Sequence, residues 1–258
     1  LVEYDFLKSI DRIKTYGRMS ILKTYLPTIK SGSDFTSLMS IEVLLILYKF
    51  IREKKEDVEY IRGLNICLDN SKRLYNFKDV YDVSEDLMKI ARLLDLRSIF
   101  KAQDDETRFE LEKFYSHVGI KKVDLEIIKR VLSKFGLKEG VYVKDCKPPF
   151  DNQPNLILLL TTVYKKFNSD IESANLPLLY DLNNQLFNTN SKILYYTDDL
   201  LIREFLLNFG YHLLSKELEN FSMLCVKLLP GQFFSMVLHN IGNIKSEDII
   251  KIYNYYFS

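Results

Sequence analysis

Residues Thr197 to Asn240 read TDDLLIREFLLNFGYHLLSKELENFSMLCVKLLPGQFFSMVLHN, and the spacing of their apolar groups decides the expected fold. Leu201, Phe205 and Asn208 fall on one side of a helix, while Leu206, Phe209, Leu213 and Leu214 widen the apolar surface beyond a solvent-facing stripe. Thr197 is placed to cap the helix start, with Asp198 and Asp199 adding negative charge near its positive end. Ser215, Lys216 and Glu217 form a polar break. Leu218, Phe221, Leu224, Cys225, Leu228 and Leu229 then resume the period, and Pro230 with Gly231 is read as a stop or a sharp redirection. The stretch predicts two or three closely spaced helices covered on two sides.

Outward from there the same pattern recurs. Phe35 to Ile51 is read as a buried helix, Asp57 to Leu68 as the next, and a helix capped by Ser84 is expected to run through Phe100. Asp124 to Phe135 is strongly amphipathic, with Val123, Ile127, Val131 and Phe135 along one line and Gly136 ending it. Asn155 is read as the cap of Leu156 to Phe167, and Ser246 as that of the last helix. The expected fold class is therefore all-α, as an irregular helical repeat or a multihelical domain, although no clean residue repeat establishes a solenoid. The proline-rich run DCKPPFDNQPN over 145–155 is read as a connector between helical subdomains at 1–144 and 156–258.

The chain of 258 residues is 47% hydrophobic and 28% charged, which excludes a disordered polar tract. Nine Gly and six Pro are too few for a turn-rich barrel or sandwich. Net charge is +1, divided as +4 over residues 1–147 and −3 over 148–258, so neither half is strongly electropositive. Cys67, Cys146 and Cys225 are single and far apart, a usage that favours a reducing intracellular setting, nucleus or cytoplasm, over a disulfide scaffold. The longest strongly apolar run, Ile41 to Ile51, is too short for an ordinary bilayer span, so no membrane insertion is expected.

Chemistry-bearing groups do not cluster. His117, His212 and His239 are scattered, no spacing resembles a metal-ligand set, and no glycine-rich phosphate loop is present. Asp104/Asp105 and Asp198/Asp199 read as helix caps rather than a divalent-cation site. No catalytic residue, metal or cofactor is assigned, and the chain is expected not to be an enzyme.

Two binding readings remain. The preferred one is a non-catalytic protein-interaction scaffold, a subunit or fragment of a larger intracellular assembly. Tyr253, Tyr255, Tyr256 and Phe257 are its candidate docking patch for another protein or for self-association. The alternative is nucleic-acid binding through a basic helix and turn at 120–147, where eight basic residues face four acidic ones. Lys122, Lys129, Arg130, Lys134, Lys138 and Lys144 are the candidate phosphate contacts, arranged as the helix and following ribbon of a small winged-helix unit.

Overall fold

The structure is a computed structural model, which describes residues 21–54, 57–208, 210–228, 230–239, 244, 247, 249, 250 and 254. The chain divides into two compact units, Leu1–Asp124 and Leu125–Ser258. The 145–155 segment lies within the second.

The all-α expectation is overturned. Among the described residues about half are helical, but ten short strands make the fold mixed α/β, so neither an all-helical domain nor a helical repeat describes it. In the first unit β1 (Ser33–Asp34) precedes α1 (Ile41–Lys54) and α2 (Val58–Gly63). A hairpin of β2 (Asn65–Leu68) and β3 (Arg73–Asn76) follows. Next come β4 (Val80–Tyr81), α3 (Glu85–Ala91), β5 (Arg97–Ser98) and α4 (Asp105–Val118). The order β1-β3-β2 is antiparallel, whereas β4 and β5 run parallel across the α3 crossover. The helix expected over 57–68 is thus a short helix and a strand, and the one expected from 84 to 100 is a strand-bound crossover.

The core of this unit sits between α1 and α4. Tyr48 stacks on Phe114 with ring centroids 3.8 Å apart, and Phe77 meets Phe114 edge-on at 5.7 Å. The Tyr48 hydroxyl, fully buried, donates to the Ile66 carbonyl at 2.5 Å. That bond removes the cost of leaving a phenol unpaired in an apolar core.

The second unit opens with α5 (Leu125–Lys134), then α6 (Gln153–Phe167) and α7 (Ile171–Ala174). The hairpin of β6 (Leu179–Tyr180) and β7 (Leu186–Phe187) leads to β8 (Leu194–Tyr196), α8 (Leu200–Asn208) and β9 (His212–Leu213). A 3₁₀ stretch at Lys216–Leu224, β10 (Val226–Lys227) and α9 (Pro230–His239) follow. The order β10-β8-β9 is parallel throughout. Several readings of the 197–240 stretch change here: Leu213, expected on a helix face, lies in β9, and the period expected to continue through Leu229 is broken by β10. Asp199, not Thr197, caps α8, its carboxylate accepting the Ile202 amide at 3.1 Å. Pro230 starts a helix instead of ending one, as its fixed φ and missing N–H permit in a first turn. Likewise Asn152, not Asn155, caps α6.

The two units repeat one backbone scheme. In the first hairpin Asp69 bonds Arg73 through the backbone, and its Oδ1 accepts the amides of Ser71 and Arg73, both at 2.9 Å. In the second Asp181 does the same with Gln185, Asn183 and Gln185 again. Lys72 and Asn184 occupy the same left-handed position of the turn, with φ of 58° and 63°. Gly32 and Gly140, both at positive φ, donate to Leu74 and Leu186. Phe35 and Val143 donate to Lys72 and Asn184. After the crossover helix, Ile99 bonds Tyr81 and Phe100 bonds Leu68, as Leu214 bonds Tyr195 and Ser215 bonds Tyr180. Asp82 bridges Lys122 in parallel just as Tyr196 pairs with Lys227. Turn, strand, crossover and edge pairing coincide, so the units are two copies of one α/β module.

Candidate docking cleft

The first unit carries a cleft of about 670 Å³ among the exit of β1, the start of α1, the hairpin turn and the start of α4. Its floor is apolar, from Phe35, Met39, Leu68, Phe100 and Ala102. These side chains are placed by backbone bonds: Phe35 donates to Lys72 at 3.0 Å, Met39 to Phe35 at 3.0 Å, and Phe100 to Leu68 at 2.8 Å. The rim bears four charges, Glu42, Lys72, Lys101 and Asp104.

Three of those charges are engaged. Asp104 caps α4 by accepting the Thr107 amide at 2.8 Å, a bond that holds its carboxyl below the ordinary range. Glu42 is lowered as well, first by its hydrogen bond with Ser40. Lys101 lies 2.9 Å from Asp82 and donates to the Val83 carbonyl at 3.1 Å. Lys72 makes no ion pair among the described residues, and its exposed amine is the free charge of the rim.

The second unit has a cleft of about 560 Å³ at the corresponding place. Val143, Lys144, Asn152, Gln153 and Asn184 stand where Phe35, Thr36, Ser40, Ile41 and Lys72 line the first. Its lining is amide-rich, and Gln153 Nε2 donates to Asn184 Oδ1 at 2.6 Å.

Groups capable of chemistry lie elsewhere. Asp181 is 1% exposed, and its Oδ2 stands 2.8 Å from His212 Nδ1, with Phe187 beside the imidazole at 4.8 Å between centroids. Burial pushes the thiols of Cys67, Cys146 and Cys225 up, the last to about 12, so at neutral pH all three are protonated and poor nucleophiles. Among the described residues no group of three or more His, Cys, Asp or Glu could hold a metal ion. Nor is any described helix long and apolar enough to cross a membrane.

The residues singled out from the sequence fall in several places. Lys129, Arg130 and Lys134 share the exposed face of α5, opposite buried Ile127, Ile128, Val131 and Leu132. Lys138 and Lys144 follow it, Lys144 lying over the Tyr142 ring at 5.8 Å. The ribbon after α5 does not fold back on itself as a wing; Gly140 and Val141 bond Leu186, adding this segment to β7. Lys122 belongs to the first unit. Tyr253, Tyr255, Tyr256 and Phe257 lie outside the described residues.

The cleft residues were missed because Phe35, Leu68, Lys72 and Phe100 come from separate elements. One signal could have found them: an aspartate followed by a leucine five positions on, between apolar runs, in both LDNSKRLYNF and YDLNNQLFNT. No protein-family model matches the chain, and neither curated proteins nor solved structures yield a match.

Proposed function

We propose that this chain is a non-catalytic protein-interaction scaffold that works as a subunit or fragment of a larger assembly. The observation that carries this reading is the cleft of the first unit. It is concave and floored by apolar side chains, and the carboxylates at its rim are engaged in local hydrogen bonds instead of converging on a reacting atom. The raised thiols add support, because a nucleophilic cysteine needs the opposite shift. Affinity capture from the native host with the folded protein should recover a partner that re-forms a stoichiometric complex from purified components. Failure to reconstitute any complex would reject the reading. Replacing Tyr255, Tyr256 and Phe257 together tests the terminal patch, since capture should weaken while helicity is kept.

A second reading, nucleic-acid binding, rests on the common face of Lys129, Arg130 and Lys134. A basic helix face positions a protein on phosphates without reading bases. Reversing these three charges should abolish salt-sensitive binding to single- or double-stranded DNA or RNA, and unchanged affinity excludes this face.

A further inference from the structure

The two clefts differ at their inner end, and the difference indicates what the open one takes. In the second unit the position of Leu68 is held by Tyr180 and that of Ala102 by Glu217, and the Tyr180 hydroxyl donates to Glu217 Oε2 at 2.7 Å. Tyr180 is fully buried, and neither it nor Glu217 lines the second cleft, whereas Leu68 and Ala102 both line the first. One copy of the module thus supplies its own phenol and carboxylate, and the other has a leucine and an alanine.

We infer that the cleft of the first unit docks a tyrosine or phenylalanine side chain, flanked by a carboxylate, from a linear segment of a partner protein. This rests on the interaction reading above. The apolar floor of Phe35, Met39 and Phe100 takes the ring, whose burial drives association. The carboxylate of the segment pairs with Lys72, the rim charge that has no ion pair of its own among the described residues. Glu42 and Asp104 stay ionised on the same rim, each held by its own hydrogen bond. The second unit's Tyr180–Glu217 pair is the internal counterpart of the docked group.

The test is fluorescence anisotropy on the full chain with three labelled, blocked peptides: a tyrosine between two glutamates, its alanine counterpart, and the chain's own KIYNYYFS (251–258). Saturable binding of the first, with loss for the second, is expected. The exposed change Lys72→Asn places in the turn the residue that Asn184 already represents, and it should weaken binding about fivefold, less at high salt. Leu68→Tyr with Ala102→Glu installs the pair found in the second unit, and it should abolish binding while thermal unfolding stays cooperative. Absence of saturable binding, or affinity unchanged by Lys72→Asn, overturns the inference even if the double variant does not fold. Preferential binding of KIYNYYFS overturns it in favour of self-association. A partner captured equally by wild type and the filled variant removes this cleft while leaving the scaffold reading intact.

Discussion

Asp181 satisfies two turn amides and stands against an imidazole while being 1% exposed, so its removal leaves several polar groups unsatisfied. Asp181→Ala should destabilise the second unit by about 2–4 kcal/mol in urea unfolding, near the upper range for a buried polar deletion. His212→Ala should cost less, because both turn amides keep their acceptor. At Cys225 burial raises the thiol from about 9 to about 12. The folded state therefore holds its proton after the unfolded state has lost it. The resulting stability is fully present below pH 9 and declines as pH rises toward 12. Cys225→Ser should flatten that alkaline decline, read as the pH dependence of the urea midpoint.

At the scale of elements, aromatic contacts and turns carry different loads. Phe114→Ala removes a ring stacked on Tyr48 and met edge-on by Phe77, and should cost about 3–5 kcal/mol. By contrast, exchanging Lys72 for asparagine and Asn184 for lysine should change stability by less than about 1 kcal/mol, since each residue already sits at positive φ in the other copy. Valine at either position should cost clearly more, as a β-branched side chain is poorly tolerated there. Chemical denaturation measures all three.

The same scale explains what could be read from the sequence. The α5 helix was legible because Ile127, Ile128, Val131 and Leu132 form a complete buried stripe and Gly136 ends it with a φ of 81°. The strands were hidden because a two- to four-residue apolar run such as NICL fits helical spacing as well as alternation. After α3, Leu94 prolongs the helical pattern, yet Asp95 turns the chain at φ 49° with no glycine to announce it. In the second copy Gly210 makes the same turn openly. The cleft was beyond local reading because only the hairpin bonds bring Phe35 to Lys72 and Leu68 to Phe100.

For the whole molecule, the duplicated module replaces the expected row of helices. Far-UV circular dichroism should accordingly fit about half helix with roughly one sixth strand, and a purely helical spectrum would be inconsistent with this architecture. A chain that carries one pairing scheme twice also faces a hazard during refolding. Each hairpin strand meets two acceptors of nearly equal backbone geometry, and exchange between copies is a characteristic failure of repeated domains. Divergence at the inner positions opposes that exchange. A misplaced Tyr180 would be separated from Glu217, and Leu68 would leave a void where the phenol belongs. The residues that distinguish the two clefts thus also act as proofreaders of strand partnership.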